Sequence, residues 1–569
     1  MNKYEELSKL RKDGQADGTI PDWYTTAGVQ MMYDRYLYQS ENIRAQYRRI
    51  ARQAAKYTKD PKSWEERFFE VLWKGWLSPS SPVLANMGTT RGLAVSCSGQ
   101  LIDDSIYGFY DSLKETALLT QEGFGTSGYL GHIRPRGTKI SRGGRASGVL
   151  PVYKMFVQAM RDVAQGTARR GAWAGYIEPE HGDFYELVNF IKNNPDDANI
   201  GWNITDAFIE GLDNGDLDFL DRYQTMMAMK MIIGKGYFYF IDKVNRLRPM
   251  AYVINNLFVK ASNLCSEISL FSDEDHTYTC VLSSMNISKY HEWKDTDAVY
   301  VSTVFLDCVA SDFIERAKKI RGLEKAVRFT EKGRALGLGS CGFHTYLQDN
   351  MIAWGSPECF AFNDEVFGHI NRESLRASQD LAKEYGEPEW CRGLGIRNTH
   401  RMTQPPTKST AAIMGGISEG VNPDPAMVFT QLTSAGEIDR ANAALLRIMK
   451  ARNVYDEVHM QELRDASGSV QGVDWLDDRE KYIFRTAFEI NQYDIIDLAS
   501  ARQMHTDQGQ SINLFFNHDA DEGYISEVHE YAFNDPFITS LYYIYSSSGV
   551  GAASGEKKAP EPVVCEACQ

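Results

Sequence analysis

The sequence predicts a parallel α/β fold that follows a helical N-terminal region. From Ser78 onward, short apolar segments alternate with amphipathic helices such as 152–163 and 217–233. This alternation is typical of parallel sheets that are covered by helices. Glycine-rich turns separate the segments, for example at 141–148 and 337–342, as expected between short elements.

The helical region is predicted from the spacing of its apolar side chains. In 34–57 and 61–76, apolar and aromatic residues recur at three- and four-residue intervals, which favours helices. The same pattern predicts helices at 443–452 and 477–501. We therefore divide the chain into a helical region (1–76), an α/β domain (77–545) and a tail (546–569).

The composition excludes several classes of function. The chain has 569 residues, of which 43% are hydrophobic and 24% are charged, so it can bury a large core. A formal net charge of -15 argues against nucleic acid and membrane surfaces as partners. No run of 18 apolar residues and no apolar signal-peptide stretch occurs. We therefore expect a cytoplasmic protein, in which thiols are kept reduced.

The cysteines fall into two groups. Nine of them are scattered over the chain, and an odd, scattered set does not indicate a disulfide framework. Four are interpreted as buried structural residues, namely Cys308, Cys341, Cys359 and Cys391. Cys97 and Cys280 lie in short apolar, strand-like segments, but their spacing alone does not pair them.

The tail carries a cysteine pair at the end of a linker. Residues 546–564 are small, polar and proline-containing, which is typical of a flexible linker. Cys565 and Cys568 follow it. The pair could be half of a zinc site, a coincidence, or a dithiol that exchanges disulfides with another site. Because no second ligand pair at metal spacing occurs, we expect no metal in this chain.

A third cysteine lies between polar neighbours. Asn263, Cys265 and Glu267 alternate along the chain, and in an extended segment residues two apart point to the same side. An amide, a thiol and a carboxyl on one face of an apolar segment are costly unless they are used. We therefore interpret these three residues as catalytic.

Several motifs, in one order along the chain, resemble the catalytic subunits of ribonucleotide reductases. The segment 263–267 resembles the family's finger loop, and Cys97 and Cys280 match its two strand-borne redox cysteines. The other matching segments are 406–410, 488–492, 507–514, the pair Tyr542 and Tyr543, and the C-terminal cysteine pair. Several motifs in the family's order are stronger than any single one. The resemblance covers nearly the whole chain and implies a ten-stranded α/β barrel, made of two five-stranded parallel halves around a central finger loop.

The resemblance also implies a radical reaction. A thiyl radical on Cys265 would abstract the 3'-hydrogen of a ribonucleotide, and Glu267 would accept the 3'-OH proton as general base. Asn263 would hydrogen-bond the sugar hydroxyls. Cys97 would protonate the leaving 2'-OH and, with Cys280, supply two electrons and become a disulfide.

The tail and its partners complete this implied cycle. Cys565 and Cys568 would reduce the buried disulfide by exchange, and thioredoxin or glutaredoxin would reduce them in turn. Tyr542 and Tyr543 match the family's radical-transfer pair, with Tyr543 taken as the neighbour of Cys265 and Tyr542 as the residue facing a partner. This favours class I, in which a metal-containing small subunit supplies the radical. The alternatives are an adenosylcobalamin-dependent (class II) reductase and, more remotely, a nucleotide-binding regulatory protein without catalysis.

Two nucleotide sites are implied as well. Hydroxyl and N–H groups before a helix would bind substrate phosphates; the set is Ser96, Thr407, Lys408, Ser409 and Thr410. An ordinary helix cap would look the same in sequence. The side chain of Lys408 could also point to solvent. A specificity site would bind a triphosphate effector (dATP or ATP, dTTP or dGTP) through Asp104, Thr120, Arg134, Arg142, Gln165 and Arg169. In the family this site lies at a dimer interface, so a homodimer is expected. The N-terminal ATP-binding domain of many relatives is expected to be lacking.

Overall fold

The computed structural model of the protein describes residues 3–165, 169–196, 198–433 and 436–547, and the structural statements below refer to these ranges. Of residues 164, 165, 169, 170, 430–433 and 436–440 it describes the backbone alone.

Helices form most of the N-terminal region and pack against a large sheet. They are α1 (Lys3–Asp17), α2 (Thr26–Met31), α3 (Ile43–Ala55), α4 (Pro61–Trp73), α5 (Ser81–Asn86), α6 (Ile106–Glu122), α7 (Val149–Asp162), α8 (Phe184–Lys192), α9 (Asp206–Asp213), α10 (Leu217–Ile233), α11 (Ile241–Leu247), α12 (Met250–Ile254), α13 (Tyr290–Trp293), α14 (Ala298–Ala317), α15 (Glu324–Gly333), α16 (Phe343–Asp349), α17 (Pro357–Tyr385), α18 (Lys408–Ile413), α19 (Ala443–Ala451), α20 (Glu457–Asp465), α21 (Asp478–Ile483), α22 (Gln492–Gln503) and α23 (Glu522–Asn534). A π-helix (Met32–Tyr36) and two 3-10 helices (Ile287–Lys289 and Glu389–Cys391) complete the set.

The strands are short and mostly buried. They are β1 (Leu77–Pro79), β2 (Cys97–Leu101), β3 (Gly125–Tyr129), β4 (Ala164–Gln165), β5 (Arg169–Arg170), β6 (Trp173–Ile177), β7 (Asn199–Ile204), β8 (Tyr237–Phe240), β9 (Tyr278–Asn286), β10 (Leu336–Cys341), β11 (Val428–Thr433), β12 (Gly436–Ala441), β13 (Leu514–Phe516), β14 (Ser540–Leu541) and β15 (Ile544–Ser546).

The principal sheet has two parallel halves that meet at β2 and β9. Its order is β1-β9-β2-β3-β6-β7-β8-β14, with β10 on the other side of β9. Strands β2, β3, β6, β7 and β8 are mutually parallel and form a five-stranded half. Strand β9 runs antiparallel to β2 and begins the second half, in which β10 is parallel to it. The expected α/β class with two parallel halves is thus confirmed.

The second half continues beyond β10 through short connections. Isolated parallel bridges join Leu338 to Met402 and Gln404 to Gln510, and β13 pairs with β15 in parallel. In the described ranges, nine strands share one sheet, and bridged segments take the place of full strands in the rest of this half.

Two predicted helices are interrupted. The segment 34–57 contains the end of the π-helix and all of α3. The two helices are separate because Gln39 has a left-handed backbone (φ 56°) and Asn42 caps α3 by accepting from the N–H of Ala45 at 2.9 Å. The segment 477–501 contains α21 and α22, and Asn491 begins the second by accepting from the N–H of Tyr493 at 3.2 Å. Polar caps end helices where apolar spacing alone would continue them.

The buried apolar residues form a large core, to which both helices and strands contribute, and a smaller cluster inside the sheet. That cluster contains residues from distant parts of the chain, including Cys97, Cys265, Cys280, Tyr542 and Tyr543. The loop between α12 and β9 carries Cys265 into this interior. Among the described helices, none is both long and apolar enough for a membrane crossing.

Candidate active site

Two cysteines that are far apart in sequence lie side by side on neighbouring strands. Cys97 begins β2 and pairs in register with Cys280 on antiparallel β9. Directly opposed residues of such a pair point to the same face, with Cβ atoms about 5 Å apart. Both cysteines are buried. The fold therefore makes the pairing that chain spacing left open.

The finger loop (residues 263–267) brings an amide and a carboxyl to this thiol pair. Nδ2 of Asn263 donates to Oε1 of Glu267 at 3.0 Å and to Sγ of Cys97 at 3.5 Å. Oδ1 of Asn263 accepts from the N–H groups of Glu267 and Ile268 at 3.1 and 3.2 Å. Ser266 has a left-handed backbone (φ 63°). A turn, and not the expected two-residue alternation, therefore joins Asn263 to Glu267.

Both halves of the sheet anchor the finger loop. The hydroxyl of Tyr176, on β6, donates to the carbonyl of Asn263 at 2.6 Å. From the other half, the N–H of Gly509 and the hydroxyl of Thr403 each donate to the carbonyl of Glu267 at 2.8 Å. A Cβ on residue 509 would lie 2.9 Å from that carbonyl oxygen. Glycine is therefore needed for this close approach.

Ser511 contacts two finger-loop residues at once. Its hydroxyl lies 2.7 Å from the carbonyl oxygen of Cys265 and 3.1 Å from Oε2 of Glu267. Cys265 is 3% exposed. Ser511 thus holds the backbone at the thiol and the carboxyl next to it.

The environment of Glu267 suits a general base. Burial raises the pKa of this carboxyl to about 7, against the hydrogen bonds from its own N–H, Asn263 and Ser511. A base that titrates near neutral pH combines a usable deprotonated form with sufficient basicity. The residue that the sequence analysis named as base therefore has a matching titration range.

Three tyrosines contact one another where the C-terminal strands meet the interior cluster. The rings of Tyr542 and Tyr543 have centroids 4.0 Å apart, and Tyr237 lies 4.8 and 5.6 Å from them. Tyr542 is 0% exposed and Tyr543 is 7% exposed. The deeper residue is therefore Tyr542, which argues against the expected order with Tyr543 innermost.

Lys408 does not extend into solvent. Its Nζ donates to the hydroxyl of Tyr545 at 2.6 Å and lies 5.4 Å from the ring centroid of Tyr543. Tyr545 in turn stacks on Phe515 with centroids 5.2 Å apart. This contact ties the predicted phosphate loop (residues 406–410) to the tyrosines and has no signal in the sequence.

The phosphate loop enters α18 through a strained residue. Thr407 has a left-handed backbone (φ 53°), and its side chain does not cap the helix. Its hydroxyl instead accepts from the N–H of Gly420 at 2.7 Å. Thr410 donates to the carbonyl of Thr407 at 3.3 Å. The hydroxyl of Ser96 is buried and has no hydrogen-bond partner among the described residues, and Ser409 is partly exposed.

The candidate effector residues have different local environments. Arg134 is ion-paired with Asp104, and Arg142 is exposed. Thr120 is buried in α6 and donates to Sδ of Met160 at 3.3 Å. The side chains of Gln165 and Arg169 lie outside the described part of the chain, although their backbones pair between β4 and β5.

The tail cysteines also lie outside the described residues, which end at 547.

Three further residues touch the reacting groups and had no assigned role. Gln508 donates to Sγ of Cys280 at 3.6 Å, Ser511 contacts Glu267, and Tyr237 lies against the tyrosine pair. Gln508 and Ser511 belong to the segment 507–514, whose family likeness marked the segment without assigning functions to its members.

The site defines a thiol-dependent oxidoreductase whose reacting groups lie inside an α/β barrel. The family model of the ribonucleotide reductase barrel domain matches residues 95–222, 216–393 and 389–543, and that of the ribonucleotide reductase all-alpha domain matches 22–92. The chain therefore belongs to the ribonucleotide reductase large-subunit family, as a catalytic subunit.

Individual relatives agree with this assignment. A solved structure of the Actinobacillus ureae class Id ribonucleotide reductase alpha subunit is similar, with a TM-score of 0.86, 34% identity, and coverage of 94% of this chain and 99% of that one. A ribonucleoside-diphosphate reductase large subunit of Invertebrate iridescent virus 3 is 27% identical, over 92% of this chain and 94% of the relative. A vitamin B12-dependent ribonucleoside-diphosphate reductase of Thermoplasma acidophilum is 30% identical, over 80% of this chain and 62% of the relative.

Proposed function

We propose that this chain reduces ribonucleoside diphosphates to 2'-deoxyribonucleotides through a thiyl radical on Cys265. The observation that carries the proposal is the in-register pair of Cys97 and Cys280, with the Asn263 amide in contact with both Cys97 and Glu267. Several relatives are named ribonucleoside-diphosphate reductases, which supports that choice.

The proposed steps give each of these residues a defined role. The Cys265 radical takes the 3'-hydrogen of the substrate, and Glu267 takes the 3'-OH proton. Asn263 orients the sugar hydroxyls. The Cys97 and Cys280 thiols supply two electrons and two protons and become a disulfide: the proton of Cys97 leaves with the 2'-OH as water, and the second proton ends on the 2' carbon. Glu267 returns its proton to the 3' oxygen. Cys265 then returns a hydrogen atom to the 3' carbon.

The radical enters along the tyrosines. We place Tyr542 inside and Tyr543 outside, because Tyr542 is the more deeply buried of the two contacting rings. Cys265 would give the hydrogen atom of its S–H to the oxygen-centred radical of Tyr542, which leaves a tyrosine and a thiyl radical. A metal-containing small subunit would generate the radical on the other side of Tyr543.

Nucleotide binding and regeneration complete the proposal. Ser96, Thr407, Lys408, Ser409 and Thr410 would bind the substrate phosphates, and the unpartnered Ser96 hydroxyl supports this. A triphosphate effector at the dimer interface would bind the set Asp104, Thr120, Arg134, Arg142, Gln165 and Arg169. Cys565 and Cys568 would reduce the buried disulfide and be reduced by thioredoxin or glutaredoxin in the cytoplasm.

A cobalamin-dependent reductase is the second candidate, because the Thermoplasma acidophilum relative carries that name. The similarity to a class Id subunit over 99% of its length and the ring contact of Tyr542 with Tyr543 favour the partner-subunit class.

One assay separates the candidates. Purified chain is tested with ribonucleoside diphosphates and triphosphates, either with a radical-generating small subunit or with adenosylcobalamin alone. We expect turnover of diphosphates with the small subunit and its loss in Tyr542→Phe and Tyr543→Phe. Turnover with adenosylcobalamin alone, unaffected by both substitutions, would establish the second candidate instead.

A further inference from the structure

Gln508 is a buried amide that is held rigidly against one of the two redox cysteines. Its Nε2 donates to Sγ of Cys280 at 3.6 Å and to the carbonyl of Leu336 at 2.9 Å, and its Oε1 accepts from the N–H of Ser269 at 3.2 Å. The residue is 2% exposed. Two backbone anchors therefore fix one N–H of the amide towards the sulfur.

The two sulfurs differ in how closely the neighbouring strand packs on the side that faces away from the other sulfur. Cys97 pairs with Cys280 on one side and with Gly125 of β3 on the other, and glycine has no side chain to fill that position. On the outer side of Cys280, β10 comes so close that a Cβ on Gly337 would lie 2.9 Å from the Cys280 sulfur. Exposure follows the same order, with 5% for Cys97 and 0% for Cys280.

Disulfide exchange is sensitive to this difference. The attacking thiolate approaches one sulfur along the line of the S–S bond, and the other sulfur leaves as a thiolate. An attack on Cys280 would have to come through β10 and Gln508. An attack on Cys97 would come from the side of Gly125.

We propose that Gln508 is a positioning residue that makes Cys280 the leaving thiolate when the Cys97–Cys280 disulfide is reduced, so that the reducing thiol attacks Cys97. The inference rests on the proposed function, which supplies both the disulfide and the reducing dithiol. In the first step a thiolate bonds to Sγ of Cys97, the S–S bond breaks, and its electron pair goes to Cys280. In the second step the other thiol of the dithiol attacks the mixed disulfide and releases Cys97. The pair gains two electrons and takes up two protons, and the dithiol becomes a disulfide.

The hydrogen bond from Gln508 opposes the electrostatic cost of a thiolate on Cys280. Burial raises the pKa of the Cys280 thiol well above its ordinary range, and the hydrogen bond from Gln508 opposes the rise. A thiol leaves faster when its thiolate is better stabilised. The amide therefore favours the one charge that the exchange creates in the interior.

The kinetic test separates the first turnover from regeneration. Prereduced full-length chain, with its radical source, is mixed with substrate and followed through the first turnover, and then in the steady state with thioredoxin or dithiothreitol. We expect Gln508→Leu to slow regeneration about tenfold relative to its own first turnover, as for the loss of one hydrogen bond to a charged group. Gln508→Glu, which retains an acceptor for Ser269 but places a negative charge beside the sulfur, should be slower still.

A matched control is available two residues away. Gln510 is also buried, and its amide bonds to oxygen and nitrogen partners: it donates to the carbonyl of Ala499 and to Gln503 and accepts from Arg502. Gln510→Leu should leave the ratio of regeneration to first turnover unchanged, even if it lowers the folded fraction. Wild-type ratios in both Gln508 variants would overturn the inference, whereas a missing first turnover in the unmodified chain would overturn the proposed function.

A chemical trap tests the direction of attack with Gln508 intact. Single tail variants, Cys565→Ser and Cys568→Ser, are allowed one turnover, quenched with an alkylating agent and mapped as disulfide-linked peptides. We expect the remaining tail cysteine to be linked to Cys97. A predominant link to Cys280 would show that the direction is the reverse.

Discussion

The finger-loop centre and the candidate effector region are built in opposite ways. In the centre, Asn263, Cys265 and Glu267 are at most 3% exposed and are held by residues from both halves of the sheet. Around the candidate effector residues, the side chains of Asp104 and Arg134 are 22% and 39% exposed and are joined by an ion pair. The centre is buried and held from several sides, whereas the candidate effector residues lie nearer the surface.

This difference in burial predicts where substitutions should have large effects. In the interior each hydrogen bond acts in a low dielectric, and a polar group that loses its partner is costly. At the surface an ion pair contributes about 1 kcal/mol or less. Ile106, Tyr107 and Tyr110 of α6, which follow Asp104, are exposed apolar residues and would be covered in the expected dimer. Substitutions should therefore have large effects in the centre and small effects at the effector region.

The largest effect is expected for Cys265→Ser. A hydroxyl does not form the radical that a thiol forms, so deoxynucleotide production should fall to the background of the assay. Cys341→Ser is a matched control, because Cys341 is also a buried thiol but lies outside the interior cluster. Turnover by Cys265→Ser at the rate of this control would remove Cys265 from the mechanism.

Glu267→Gln should come next. The loss of a general base typically lowers a rate by about 10²–10⁴-fold, and the amide retains the size of the side chain. Because the carboxylate is the active form and its pKa is raised to about 7, the wild-type rate should fall as pH decreases below about 7 and level off above it.

The pH profile of the rate is the measurement for this prediction. The variant should lose the acid limb together with its activity. An acid limb that persists unchanged in Glu267→Gln would assign the titration to another group.

Ser511→Ala should have a smaller effect of the same kind. The hydrogen bond from Ser511 lowers the pKa of Glu267, so its removal should raise that pKa and move the acid limb to higher pH. At neutral pH the rate should fall a few-fold, about what a shift of less than one pH unit allows.

A buried serine with a different partner provides the control. Ser540 donates to the carbonyl of Gln510 at 2.7 Å, so Ser540→Ala should leave the acid limb in place. A limb that moves equally in both variants would indicate a general loosening of the interior.

The smallest effect on stability is expected for Asp104→Asn. It breaks an exposed ion pair, so the free energy of unfolding should change by about 1 kcal/mol or less, as in Glu186→Gln, which breaks the exposed pair with Arg136. The two variants should differ in effector response, measured as the reduction of each substrate with each triphosphate. Equal responses would exclude Asp104 from the effector site.

The element types were largely predictable because they depend on local spacing. The predicted helix 217–233 has the same bounds as α10. The predicted helix 152–163 starts inside α7 and ends one residue after it. The interruptions at Gln39 and Asn491 were not predicted, since they depend on a left-handed residue and on polar caps that apolar periodicity does not register. The predicted alternation at 263–267 was wrong for the same reason, because Ser266 turns the chain.

The sequence by itself determined which residue types are present and in which order, and this identified the finger loop, the redox cysteines and the tyrosine pair. The tertiary structure alone decided how they meet. It pairs Cys97 with Cys280 across 183 positions, puts Tyr542 deeper than Tyr543, and aims the Gln508 amide at one sulfur of the pair. These outcomes depend on strand register and burial, which are set by contacts between distant segments and leave no trace in local spacing.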